Sequence, residues 1–104
     1  MELKSMLDAQ QFSEERFTKI NIIRTPRSMA FMLNFLPGQH MKSHSHPERE
    51  LYLTVMAGQG TLLIDEQELE VKQGDVIFCT SEEMIGFTNT SDQRVSIYVT
   101  MTKI

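Results

Sequence analysis

Cysteine occurs once in the 104 residues, at Cys79, so no disulfide can close within the chain and a reducing, cytoplasmic setting is the expected one. Positive charge is also short. Ten Lys and Arg stand against fourteen Asp and Glu, a net charge of −4, which removes the electrostatic case for nucleic acid or an anionic membrane as partner. The basic residues of the first third, Lys4, Arg16, Lys19, Arg24 and Arg27, are interspersed with acids and read as solvated strand faces. The segment Met1-Glu2-Leu3-Lys4-Ser5-Met6-Leu7-Asp8 lacks the apolar stretch of a signal peptide, and no run approaches membrane-spanning length. Internal repeats, low-complexity tracts and interdomain linkers are absent as well. Nor is there a nucleophile elbow, a phosphate loop, a CxxC pair or a helix-turn-helix pattern.

What remains is one domain of ordinary globular composition, 40% hydrophobic and 23% charged, long enough to form its own core. Its punctuation is that of strands. Residues 16–24 form a β-rich run broken by Thr25-Pro26-Arg27-Ser28, and residues 29–36 are apolar nearly throughout, as in a strand covered on both faces. Pro37-Gly38 ends that run. Residues 51–57 predict a third strand, with Gly58-Gln59-Gly60 as a turn and residues 61–64 returning as its hairpin partner. Residues 69–71, 76–79, 85–88 and 94–102 supply the rest, the last alternating Val95, Ile97, Val99 and Met101 with Ser96, Tyr98, Thr100 and Thr102. Short strands at this spacing mean an all-β barrel or sandwich. Residues 1–15 are set apart as an N-terminal arm, with a helical turn expected from Ser13-Glu14-Glu15-Arg16 and with Met6, Leu7 and Phe12 available to pack on a barrel edge or a second subunit.

Histidine is scarce too, but two of the three stand as His44-Ser45-His46, with Glu50 four residues further on. On an extended strand residues 44 and 46 project from one face, and Glu50 rejoins them if the strand direction resumes after Pro47. Two imidazoles and a carboxylate are a metal site in outline, one that suits ferrous iron, manganese, nickel or zinc without choosing among them. The plainer alternative is a polar loop, Lys42 to Pro47, with no ligand role. His40 reads as a rim or solvent residue, Glu82 and Glu83 as a solvated acidic turn, and Cys79 as a small buried hydrophobe. Met29, Met32, Met41, Met56, Met84 and Met101 are candidates to line an adaptable apolar pocket, with ordinary core packing as the competing role.

The segment Gly38-x5-His44-x-His46-x3-Glu50, followed by a strand ending in Gly58, resembles the first motif of the cupin family, and Gly74-Asp75-x4-Thr80 through Asn89 resembles the second. The resemblance implies an all-β double-stranded β-helix, a jelly-roll barrel over residues 1–104. It also implies a divalent metal held by His44, His46 and Glu50, a small-molecule ligand and a homodimer. The second motif departs from the family's pattern: Thr80, Glu82 and Ile85 stand where a proline, a glycine and a fourth ligand histidine are usual, and only Asn89 agrees. Spacing departs as well, since seven residues separate Glu50 from Gly58 and counting back by the family's spacing puts Leu51 in the ligand place. Either a bulge leaves Glu50 facing inward, or the carboxylate points away and only His44 and His46 remain. Two functions are therefore expected from different classes. One is a metal-dependent enzyme of dioxygenase or isomerase type acting on a chelating organic acid, and the other is a metal-free binding or sensing module.

Overall fold

A computed structural model describes all 104 residues as nine strands and one short helix. In chain order the strands are β1 (Thr18–Arg24), β2 (Ser28–Phe35), β3 (His40–His44), β4 (Arg49–Ala57), β5 (Gln59–Ile64), β6 (Gln67–Lys72), β7 (Val76–Cys79), β8 (Ile85–Thr88) and β9 (Val95–Lys103). They form two antiparallel sheets, one ordered β1-β2-β9-β4-β7 and the other β3-β8-β5-β6. The expected all-β double-stranded β-helix is the observed architecture. No helix is long and apolar enough to cross a membrane.

The core lies between the sheets because the strands alternate. Leu51, Leu53 and Val55 of β4, Val95, Ile97 and Val99 of β9 and Phe31, Leu33 and Phe35 of β2 turn inward and meet Leu62, Ile64, Ile85 and Phe87 from the facing sheet. Phe35 sits at the centre, its ring 5.1 Å from Phe17 and 4.8 Å from Phe87. Full burial of each such side chain contributes about 1.5–3 kcal/mol, so this layer dominates stability.

Two expectations about local structure are corrected. Residues 61–64 are not the hairpin partner of residues 51–57: β4 pairs with β7 and β9, whereas β5 pairs with β6 and β8 in the other sheet. Gly58, at φ +81°, turns the chain from one sheet to the other in a single residue, a conformation open to glycine. The true hairpin is β5–β6, joined through Asp65 and Glu66. The helical turn is likewise not at Ser13–Arg16 but at Met6–Ala9, capped by the Ser5 hydroxyl, which accepts from the Leu7 amide at 3.2 Å.

The arm packs on its own sheet. Buried Asn34 donates to the Ala9 carbonyl at 2.8 Å and to Thr18 Oγ1 at 3.1 Å, while Ser96 Oγ donates to Asn34 Oδ1 at 2.8 Å. These bonds satisfy polar groups on the outer face of β2 and β9 and hold the arm over them. Gln39 adds a second anchor, donating to the Ser13 carbonyl at 2.7 Å.

Candidate functional site

His40–His44 is a strand, which agrees with the extended reading of His44 and not with a polar loop from Lys42. It is the edge of the smaller sheet and pairs only with β8, so most of its side chains face solvent. A register shift between Met41 and His44 changes which residues face in: Met41 lies opposite Phe87 and His44 opposite Ile85. Strict alternation would have turned His44 away from Met41; the bulge brings both to the cavity. His46 follows just beyond the strand end, and its carbonyl accepts from the Arg49 amide at 3.1 Å, closing a turn in which Glu48 takes φ +64°.

Between the sheets at this end lies a cavity of about 180 Å³. Phe31, Leu33, Leu53 and Val99 line it from the larger sheet, Met41, His44 and Ile85 from the smaller, and Arg16, Phe17 and Lys19 stand at its edge. The histidine rings are 4.6 Å apart at 58°. His44 Nδ1 donates to the Lys42 carbonyl at 2.9 Å, so its proton is fixed there and Nε2 is left as an acceptor. His46 Nδ1 is buried and has no hydrogen-bond partner. Burial lowers the His46 pKa from its ordinary 6.5, and the electrostatic influence of the neighbouring His44, Lys19 and Arg49 adds to the depression.

The structure brings His44 and His46 together but leaves Glu50 out. Leu51, Leu53 and Val55 all point inward, Leu51 lines the cavity, and Glu50 lies on the opposite face of β4, across from Thr102. β4 does carry an irregularity, but it falls between Val55 and Ala57 and does not reverse the carboxylate. Alternation alone decides the matter. No group of three His, Cys, Asp or Glu side chains comes together anywhere in the chain. Retained divalent metals take three or four protein donors; two imidazoles in a wall that otherwise offers Lys19, Leu51 and Ile85 do not fit one.

The remaining candidates fall elsewhere. His40 is exposed opposite Thr88 and does not line the cavity. Glu83 accepts from the Thr80 amide at 2.9 Å, a local turn contact, and Glu82 is exposed. Cys79 is buried, and burial, reinforced by Glu83 and Asp65, pushes its thiol up to about 11, which keeps it protonated and inert at neutral pH. Of the six methionines singled out, only Met41 reaches this cavity; Met32, for example, is fully buried on the outer face of β2 opposite Tyr98. Arg16, Phe17 and Lys19 carry no motif that marks them as site residues. Lys19 is exposed but lies on the cavity side of β1 because it pairs with Leu33, a relation no spacing rule along β1 displays. Asn89 agrees with the motif for a structural reason: its amide donates to the Phe35 and Gln93 carbonyls at 3.1 and 2.7 Å and ties β8 to the ends of β2 and β9.

Comparison with known proteins decides the family. The sequence profile of the cupin domain matches residues 31–101. The chain belongs to the cupin domain family. An uncharacterized protein of Aquifex aeolicus (strain VF5) is 24% identical to this cupin over 98 residues, 94% of this chain and 79% of the relative. The crystal structure of TT1209 from Thermus thermophilus superposes with a TM-score of 0.92 at 22% identity, covering 99% of this chain and 98% of the other. A double-stranded β-helix protein of Klebsiella pneumoniae also reaches 0.92, at 18% identity, with 99% and 90% covered. At these identities the structures establish the fold and not an activity.

The depressed His46 pKa has a stability consequence. A histidine that resists protonation when folded contributes fully above its unfolded pKa of 6.5, and that contribution declines as pH falls from 6.5 through the lower folded value. Unfolding free energy of this cupin, measured by urea titration, is expected to fall on acidification through that window, and His46→Gln should flatten the dependence. An equally steep fall in the variant would assign the effect to other groups.

Proposed function

We propose that this cupin is a metal-free small-molecule binding module whose cavity takes a compact organic acid with an apolar body. The observation that carries the proposal is the composition of the cavity wall: an apolar floor of Phe31, Leu33, Leu53, Ile85 and Val99, with Lys19, Arg16 and the His46 ring among the lining residues. An apolar interior with few convergent polar groups is the usual form of a ligand site. The volume of about 180 Å³ lies below the roughly 300–1,000 Å³ typical of drug-sized ligands, which favours a small molecule. Lys19 supplies positive charge where a carboxylate would sit, and the His46 imidazole lies in the same wall. An acid bound there would raise the His46 pKa, so binding would take up a proton and tighten below neutral pH.

The metal-dependent reading rests on the nearness of His44 and His46 and on the unpaired His46 Nδ1. It lacks a third donor. Elemental analysis of protein purified without chelator or affinity metal separates the two, because about one metal per chain, lost in His44→Ala, would replace the present proposal. The direct test is thermal and calorimetric titration with isovalerate and benzoate beside their amides. A ligand at about a hundred times its Kd stabilises by about 2.7 kcal/mol, an easily read shift. The acids should bind in preference to the amides, and Lys19→Gln should weaken the acids by a few-fold while leaving the amides unchanged. Binding of neither class would defeat the proposal.

A further inference from the structure

Four of the ten Lys and Arg residues gather around a second concavity, of about 360 Å³, at the end of the larger sheet. Arg24 ends β1, Arg27 lies in the β1–β2 turn, Arg49 opens β4 and Lys103 ends β9; Met29 and Met101 form the apolar part of the wall. This concavity shares no lining residue with the cavity that holds the histidines, although Arg49 adjoins both, its amide donating to the His46 carbonyl.

The strand order β2-β9-β4 sets three of these cations side by side. Arg49 and Lys103 are direct cross-strand partners, and the Lys103 amide donates to the Arg27 carbonyl at 2.9 Å. Like charges directly opposite each other on neighbouring strands are destabilising, so this row costs stability unless negative charge comes to it. None comes from the chain. The protein's one ion pair is Lys72 with Asp75, and Glu48 and Glu50 pair with none of the four. Other cations are occupied differently: Arg16, Lys19 and Arg94 each lie over an aromatic ring. The turn that carries Arg27 is rigid, because Thr25 accepts the Ser28 amide at Oγ1 at 2.9 Å while its own amide donates to the Ser28 carbonyl at 2.8 Å.

We infer that Arg24, Arg27, Arg49 and Lys103 form a binding site for a small, multiply charged oxyanion, a phosphate or a polycarboxylate, separate from the histidine cavity. Guanidinium groups present forked donors that match both phosphate and carboxylate oxygens, and three arginines converging on one concavity suit an anion with more than one charge. The apolar wall of Met29 and Met101 leaves room for a short carbon skeleton beside the charge. An extended nucleic-acid track is disfavoured, since a net charge of −4 that includes these four cations leaves −4 − 4 = −8 on the rest of the chain.

Calorimetric titration with inorganic pyrophosphate and with citrate, at matched ionic strength, tests the site. At least one should bind saturably to the full chain, and which one binds names the class. Arg27→Gln with Lys103→Gln should weaken that binding by roughly tenfold or more, the usual scale for lost charge-assisted hydrogen bonds. Without anion the same double variant should be no less stable than the parent, because it relieves repulsion; this shows that it is folded. Ile85→Phe, which fills the histidine cavity, should leave anion binding unchanged. Absence of saturable binding, equal binding by the double variant, loss in Ile85→Phe, or tighter binding of a single-stranded oligonucleotide than of either small anion would each overturn the inference.

Discussion

Leu51→Glu combined with Ile85→His is expected to turn this cupin into a protein that retains about one divalent metal per chain. Both positions line the cavity that holds His44 and His46, and Ile85 lies directly opposite His44 across the β3–β8 pair. The two substitutions would add a carboxylate and a third imidazole to the two imidazoles already there, giving the mixed nitrogen and oxygen set that divalent transition metals take. Partners outside the first coordination shell alone change metal affinity by about 10–100-fold, so two added ligands should raise it by roughly a thousandfold or more. Stability should respond in two directions. Leu51 is 2% exposed and Ile85 1% exposed, and an unpaired buried carboxylate costs several kcal/mol, so the metal-free double variant should unfold at lower temperature than the parent. Added zinc or manganese should then recover much of the loss in the variant and leave the parent unchanged. Elemental analysis and melting curves with and without metal read both effects. A folded double variant that holds no metal would show that the four side chains do not converge, and a parent that already holds one would refute the conclusion drawn from its donor set.

That prediction depends on a distinction the linear sequence left open. The strands were legible because apolar residues recur with period two between Pro, Gly and Asn punctuation, and the cupin motif placed His44 and His46 at the cavity. Glu50 was not decidable from spacing, since one extra residue in β4 would have reversed its face; the irregularity lies at Val55–Ala57, and the alternation of Leu51, Leu53 and Val55 fixes the carboxylate outward. β3 could be read either as a strand carrying His44 or as a polar loop, because an edge strand with one partner keeps polar side chains. The β4–β5 pairing was misassigned for another reason. Two apolar runs joined through Gly58-Gln59-Gly60 look like a hairpin, and only long-range pairing with β8 and β9 shows that they belong to different sheets. The rows that build both concavities, Lys19 with Leu33 and Arg49 with Lys103, are cross-strand relations carried by no local pattern.

The sheet crossing at Gly58 carries the other large expected effect, which is on stability. Gly58→Ala places a Cβ on a residue at φ +81°, where it would run into the Arg94 carbonyl oxygen and stand 2.8 Å from Val95 Cγ2 and 3.1 Å from Val95 Cα. Two of those neighbours are backbone atoms of the segment entering β9, the strand between β2 and β4, so relief requires moving the sheet and not one rotamer. The left-handed conformation costs an alanine about 1–2 kcal/mol, and overpacking against an unyielding neighbour adds about 1–3 kcal/mol. A total of about 2–5 kcal/mol is a large part of the roughly 5–15 kcal/mol that holds a domain folded. At about 4–8 °C per kcal/mol for a domain of this size, the melting temperature should fall by at least about 8 °C. Gly38→Ala is the matched control: Gly38 has φ +84°, but a Cβ there meets nothing within 4 Å, so only the conformational cost applies. Chemical denaturation of both variants separates backbone strain from steric conflict, because the difference between them is the cost of crowding Arg94 and Val95. Equal destabilisation by the two substitutions would mean that β9 yields at this point and that the crossing is not the rigid corner its geometry implies.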